Sequence, residues 1–339
     1  MMPEQVTNAA IPVVRGNEIF CDANDWCESA LDWELDLQQL DRGPLNASMQ
    51  LAAVDGLAVQ RVSLDRRFHQ SGKSPAGTIT VAFPDDPGMV QWFGAPCLHN
   101  GLQNFSLAKG FDSVNETVFT AHTVSIPAEA LLIEGKALGC DIEAHHFSAG
   151  PEQFQIAQTD FGRFRALVSM VRRYLHGQPA TAEATTHLVA DIRTLLAMSL
   201  ADASGLSSLE GRATRQTAVD RAVELIRATE GMATLAEVCQ HAAISARSLS
   251  RGFSERFGVA TKQYMVAVRL EAVRRRLQET DANVTEAACA SGFWHLGRFS
   301  SDYRDMFGEL PSETKSRAPR RTRGIERLQT SLSTPAGRH

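Results

Sequence analysis

Residues 292–311 read GFWHLGRFSSDYRDMFGELP. Phe299, Tyr303 and Phe307 stand four apart, which places three rings on one face of a helix. Gly308 follows the last ring, and glycine accepts the left-handed backbone on which helices commonly end. The spacing predicts a short helix buried along its aromatic face. The rest of its surface carries His295, Arg298, Ser300, Ser301 and Arg304.

The same design occurs upstream. In residues 235–258, LAEVCQHAAISARSLSRGFSERFG, the set Leu249, Phe253, Phe257 and Gly258 precedes Phe299, Tyr303, Phe307 and Gly308 by fifty positions. The helix before each set corresponds at an offset of forty-nine, pairing Leu235 with Val284, Glu237 with Glu286 and Ile244 with Phe293. One extra residue therefore falls in the second turn, where insertions are tolerated, and not in a packed helix. Each copy reads as a short helix, a tight turn and a second helix. Ser245 is the expected N-cap in the first copy, and Gly292 supplies the turn in the second. Helix pairs of this size present one helix to the major groove of DNA. Two packed helical hairpins with no ligand are the other reading of the pattern.

Between the copies lies TKQYMVAVRLEAVRRRLQET, residues 261–280. Tyr264, Val268, Leu270, Ala272, Val273 and Leu277 form its apolar stripe, and Arg269, Arg274, Arg275 and Arg276 occupy the remainder. A helix of about eighteen residues spans roughly 27 Å, comparable with the ~34 Å between successive major grooves on one face of DNA. A further helix ahead of the first copy buries Ala218, Val219, Ala222, Val223 and Ile226 and closes at Gly231.

With these features, residues 214–316 resemble the DNA-binding domain of the AraC/XylS family of bacterial transcription regulators. The likeness rests on the twin helix–turn–helix copies, on Arg269–Leu270 with Ala272, and on Gly292–Phe293, Phe299, Phe307–Gly308 and Pro311. GFWHLGRFSSDYRDMFGELPSET is closest to the branch containing the ethanolamine-operon regulator and the benzoate-type activators. Thr261 and Thr314 stand where the family frequently has Pro and Tyr. The resemblance implies a transcriptional activator that contacts RNA polymerase and answers to a small metabolite, an amine or aromatic acid, bound by its N-terminal domain. It implies no cofactor, no metal and no catalytic residue.

On the first recognition helix the outward candidates for DNA contact are Arg247, Ser248, Ser250, Arg251 and Ser254; on the second they are His295, Arg298, Ser300, Ser301 and Arg304. Arginine offers a two-pronged donor to guanine O6 and N7, so Arg247, Arg251 and Arg298 are expected at base edges, with Ser301. Arg274, Arg275 and Arg304 are expected at phosphates. The tail, residues 317–339, is basic and poor in core-forming residues, which predicts disorder and non-specific phosphate contact.

Charge divides the chain in the same place. Residues 1–211 carry 13 Lys and Arg against 25 Asp and Glu, whereas residues 212–328 carry 20 against 14. An acidic front and a basic back suggest two different partners. The six cysteines are scattered without zinc-type spacing, and the first residues lack an export signal, so the expectation is a cytoplasmic bacterial protein with reduced thiols.

From Ala47 the front half reads as short strands punctuated by Asp55–Gly56, Asp85–Asp86–Pro87–Gly88 and Lys109–Gly110. Residues 21–43 look helical. Residues 151–200 read as a helical hairpin, suited to a homodimer seam or to packing alone, and residues 201–213 as a linker. The expected class is α+β, with a cupin-like β-barrel and helical hairpin followed by an all-α domain of two helix–turn–helix motifs joined by a linking helix. The domains would span 1–150, 151–200, 201–213, 214–316 and 317–339. Phe83, Trp92, Phe93 and Phe105 are candidates to line an apolar ligand pocket, although strand aromatics also serve as plain core. His69, His99, His122 and His145–His146 are too dispersed for a metal cluster, and no catalytic motif is present. Two other readings stand beside the regulator: a dimeric DNA-binding protein that senses nothing, and a catalytic barrel with a helical extension.

Overall fold

The alternation of apolar and polar residues on either side of Asp55–Gly56 produces a hairpin, and further strands of the same kind build two sheets. The computed structural model describes residues 14–30, 32–140, 142–177, 182–206 and 213–317. In the front half the elements are β1 (Val14–Phe20), α1 (Ala23–Ser29), β2 (Glu34–Gln39), β3 (Ala47–Val54), β4 (Leu57–Leu64), β5 (Phe68–Lys73), β6 (Thr78–Pro84), β7 (Val90–Trp92), β8 (Ala95–Pro96), β9 (Gly101–Asn104), β10 (Phe111–Asn115) and β11 (Phe119–Pro127). There follow α2 (Ala128–Ala137), α3 (His145–Ser148), β12 (Gln153–Gln155), α4 (Gln158–Gly177), α5 (Ala182–Ala201) and β13 (Ser204–Leu206).

Eight strands pair in the order β1-β3-β4-β11-β6-β9-β12-β13, and five in the order β2-β5-β10-β7-β8. The larger sheet is apolar on both faces. Val59, Ile79, Val81, Phe83 and Val124 pack against Leu131, Phe164, Val168 and Ile192 of the helices. On its other side Met49, Leu64 and Phe119 meet Phe68, Trp92 and Phe111 of the smaller sheet. The front half is thus two facing sheets with helices on one outer side.

The sheets do not close into the expected barrel. After β1 the chain passes to the second sheet through α1, whose Trp26 is buried between the layers. Residues 21–43, expected to be helical, therefore split into α1 and β2: β2 pairs along its length with β5, and that pairing overrides a helical preference. In the segment NFSLAKG only Asn104 is in a strand, β9, because the chain turns at Ser106–Gly110. Within the linker expected at 201–213, α5 runs to Ala201 and β13 pairs with β12 in the larger sheet, while residues 207–212 lie outside the described residues. The tail, apart from Arg317, lies outside the described residues.

The back half contains α6 (Ala213–Ala228), α7 (Leu235–Ala242), α8 (Ala246–Phe257), α9 (Thr261–Glu279), α10 (Val284–Ala290), α11 (Leu296–Phe307) and α12 (Pro311–Arg317). The first helix–turn–helix, α7 and α8, packs with α6 on Tyr264, Met265 and Val268 of α9. The second, α10 and α11, packs on Ala267, Leu270, Val273 and Leu277 of the same helix. One helix is thus core to both motifs. Thr234 and Asn283 form equivalent capping boxes with Glu237 and Glu286, as the forty-nine-residue offset requires. Gly258 and Gly308 both end their helices with left-handed backbone, at φ +69° and +76°. The aromatic face of the opening stretch is fully realised: Phe299, Tyr303 and Phe307 are all buried, and the Tyr303 hydroxyl lies 2.8 Å from that of Thr314. Phe299→Ala is expected to cost about 3–5 kcal/mol, read as a lower denaturant midpoint, because Phe299 is buried against Phe293 and Tyr303.

Candidate nucleic-acid interface

Both recognition helices begin at the surface. Ser245 caps α8, its hydroxyl accepting from the Ser248 N–H at 3.3 Å, and Ala243 takes left-handed backbone in the turn before it. In α11 the N-cap is His295, with no side-chain cap bond. Arg247, Arg251 and Ser254 on α8, and His295, Arg298, Ser301 and Arg304 on the second motif, are exposed; Ser248, Ser250 and Ser300 are half-buried. Helix N-termini carry partial positive charge, so these ends favour an anionic backbone. Arg251 pairs with Glu255 at 2.8 Å and Arg298 with Asp302 at 3.7 Å, both within one helix. Exposed pairs of this kind contribute under ~1 kcal/mol, so either guanidinium exchanges its partner for DNA at little cost. Trp294, 75% exposed, flanks the second helix start, a site not singled out from sequence as a surface feature.

Arg274 is a correction. Its side chain is buried, with Nε 2.9 Å from Asp22, Nη2 3.4 Å from Glu309 and the guanidinium over the Phe307 ring. It joins the two halves of the chain and does not face a phosphate. Arg275 is exposed but pairs with Glu230 at 2.6 Å. The helical stripe of α9 gave no sign of this, because the partner Asp22 is remote in sequence.

The ends of the recognition helices opposite their exposed starts rest on the front half. Gly43 N–H donates to the Asp305 carbonyl at 2.9 Å and Gln39 Nε2 to that of Met306 at 2.9 Å. Helix C-termini leave such carbonyls unpaired, so donors from another domain cap α11 as a side chain would. On α8, Gln91 Nε2 donates to the Glu255 carbonyl at 3.4 Å. A Cβ on Gly308 would come within 2.7 Å of Pro44, which shows how closely the halves approach.

A charged cluster lies at the centre of this seam. Asp112 of β10 accepts from Arg256 of α8 at 2.7 Å and from His69 Nε2 at 2.7 Å. His69 is fully buried; its Nδ1 lies 2.7 Å from the Tyr264 hydroxyl and 3.1 Å from Arg227, which also pairs with Asp36 at 2.8 Å. Nδ1 as acceptor and Nε2–H as donor is the neutral imidazole. Burial lowers the His69 pKa, against the pull of Asp112. Burial works against the Asp112 carboxylate too, but His69 and Arg256 outweigh it and hold its pKa well below the usual range. None of His69, Asp112, Arg227 or Arg256 was picked out from sequence for this role. The available signal, alternation along FHQSGK and FDSVN, identifies strands but not what lies against them.

The opposite face of the same sheet lines a cavity of about 80 Å³ between the layers. Leu35, Gln70, Phe111, Ser113, Val90 and Trp92 face it, whereas Asp36, His69, Ser71, Asp112 and Gln91 from the same strands face the helical domain. Register explains the division: Gln70, Ser113 and Trp92 are cross-strand partners in one row, and His69, Val114 and Gln91 in the next. Of the four expected pocket residues, Trp92 and Phe105 line the cavity, their rings 4.6 Å apart. Phe83 does not; it is buried on the helical side of the larger sheet with Phe161 and Phe164. Phe93 also lies outside, edge-on to Trp92 with Lys109 above its ring. Trp26, Trp33, Phe111 and Phe119, unassigned from sequence, complete the aromatic lining. Among the described residues no group of His, Cys, Asp or Glu is placed to hold a metal ion, and no helix is long and apolar enough to cross a membrane.

A family model described as a helix-turn-helix domain matches residues 238–317. The chain is 34% identical over 154 residues to XylDLEGF operon transcriptional activator 3 of Pseudomonas putida, covering 44% of this chain and 45% of that one. It is 42% identical over 87 residues to XylDLEGF operon transcriptional activator 1 of the same organism, covering 25% and 26%. Residues 238–317 are thus similar to the DNA-binding segment of AraC/XylS-type regulators. The matched segments span from about a quarter to just under half the length of these relatives. Among solved structures, a probable AraC family transcriptional regulator from Rhodopseudomonas palustris CGA009 is 38% identical over 30% of this chain and 96% of its own, with a TM-score of 0.29. The AraC-like transcriptional activator CuxR is 14% identical over 76% of this chain and 94% of its own, with a TM-score of 0.43.

The seam also holds Glu271 of α9, buried, with Oε1 accepting from Asn24 at 3.2 Å and Oε2 unpartnered. Burial is the main cause that raises its pKa from 4.5 to about 7, with the Asp22 carboxylate adding to it. A carboxyl with a raised folded pKa costs stability above that value, and the cost fades as pH falls toward the unfolded value. Glu271→Gln is therefore expected to raise the melting temperature at pH 8, where the charge costs up to about 3 kcal/mol, and to lose most of that advantage by about pH 5. Melting curves across this range test it; an advantage that does not shrink on acidification contradicts the assignment.

Proposed function

We propose that the chain is a sequence-specific DNA-binding transcriptional regulator whose front half senses a small molecule. Both recognition helices of one chain would enter successive major grooves on one face of the duplex, with α9 as the rigid spacer. Arg247, Ser248, Ser250, Arg251 and Ser254 on the first motif, and His295, Arg298, Ser300, Ser301 and Arg304 on the second, would meet DNA. Arg247, Arg251, Arg298 and Ser301 are assigned to base edges and Arg304 to phosphate. Activation through RNA polymerase follows the family likeness, and the similarity to the P. putida operon transcriptional activators supports the activating role.

One observation carries the sensing half of this reading. A single sheet, one strand thick, lines the apolar cavity on one face and holds α8 through Asp112 and Arg256 on the other. A ligand that displaces Trp92 or Phe111 must also move Gln91 or Asp112, because they are neighbours in the same strands. Such a ligand alters DNA binding only by as much as its affinity differs between arrangements of the seam.

Two measurements test the proposal. In band shifts on an operator, Arg298→Ala is expected to lose roughly 5- to 150-fold in preference for the site over random DNA, while most of the salt-dependent affinity persists. Unchanged preference removes Arg298 from base readout. For coupling, Asp112→Asn removes the sheet carboxylate from Arg256, leaving it only Asp220 of α6, and is expected to reduce an effector's influence on operator affinity severalfold; an undiminished influence shows that the signal bypasses this contact.

A further inference from the structure

The chemistry of the cavity wall specifies a class of ligand. We propose that the cavity takes a neutral, single-ring aromatic molecule bearing one hydrogen-bond-accepting oxygen, read by Gln103, and that it rejects carboxylates and ammonium ions. This rests on the reading of the cavity as the sensing site and departs from the amine or aromatic acid that the family likeness implies.

Four observations carry it. None of the described residues lining the cavity is charged, so an ionised ligand would surrender its hydration without an ion-pair partner. The wall is aromatic: Trp33 and Phe105 meet edge-to-face at 5.6 Å, and Phe105 and Phe111 stand 4.5 Å apart. Rings so arranged favour another ring in stacked or edge-on contact. At about 80 Å³ the space is about half the ~150 Å³ of an engineered apolar cavity that binds benzene, so a single ring enters only by displacing wall rings such as Trp92 or Phe111, and a second ring is excluded.

The fourth observation is Gln103. It is 2% exposed, lines the cavity, and its carboxamide nitrogen has no hydrogen-bond partner. Its strand β9 is paired on both sides, to Ala82 and to Gln153, so the side chain is fixed in position. Three other polar groups of the wall are already engaged. Gln70 donates to Asn115 at 2.9 Å, Gln60 accepts from Thr123 at 3.3 Å, and the Trp92 indole donates to the Glu152 carbonyl at 2.8 Å. Buried donors in folded proteins are almost always paired, and one left over beside rings calls for an acceptor on the guest. A carbonyl or ether oxygen answers that need without bringing charge.

Isothermal titration of the full chain at pH 7 with acetophenone, toluene, benzoate and benzylamine tests the proposal. Acetophenone is expected to bind about five- to tenfold more tightly than toluene, the worth of one neutral hydrogen bond, and at least about thirtyfold more tightly than benzoate or benzylamine. In Gln103→Leu the advantage of acetophenone over toluene should vanish without a lower melting temperature, because the unpaired donor is gone. The comparison of four ligands on the unaltered chain decides the matter even if that variant does not fold. Benzoate or benzylamine binding as tightly as acetophenone overturns the ligand class and leaves the sensing reading standing. Binding of none of the four also overturns the class. A wider screen in which no small molecule shifts the melting temperature overturns the sensing reading itself.

Discussion

Asp112 connects the two halves of this chain. Its carboxylate is shared by Arg256 from the first recognition helix and by His69 from the adjacent strand, and His69 continues the contact to Tyr264 on the central helix. A carboxylate removed from water is tolerated only when its lone pairs are met, so Asp112, Arg256 and His69 must keep their relative positions or become costly together. Because the group belongs to β10, the constraint passes to the sheet. Phe111 and Ser113, its neighbours in sequence, look into the cavity on the other side.

The two motifs share more than a repeated design. Helix α9 supplies core residues to both, Tyr264 and Val268 to one and Leu270 and Leu277 to the other, so their spacing is set by a single rod. The front half supplies donors to the last carbonyls of α11 and touches the end of α8, while leaving the starts of both helices exposed. The buried Arg274 bridges Asp22 and Glu309 and adds a second ionic tie at the far end. The arrangement holds the helices from behind and presents their polar starts outward.

The helical half was legible because its signals are local. Ring spacing of four, a glycine after the last ring and a serine at the N-cap each describe neighbours within one or two turns, and all were realised. The front half was legible only in part. Hairpins around Asp55–Gly56 follow from turn chemistry, but β2 was read as helix because its pairing with β5 brings together residues some thirty-five apart. Trp92 and Phe105 were found, whereas Phe83 was misplaced, since period-two alternation says that faces differ without saying which face meets helices and which a second sheet.

The sequence by itself determined the twin helical motifs, their caps, the rod between them and the exposed polar residues at their starts, because periodicity and end signals act over a few residues. Only the tertiary structure decided that Arg274 is buried, that His69 and Asp112 hold the recognition helix, and that Gln103 faces rings without a partner. Those outcomes depend on contacts between segments as much as 250 residues apart, where charge and burial are settled by what packs opposite and not by the neighbours in the chain.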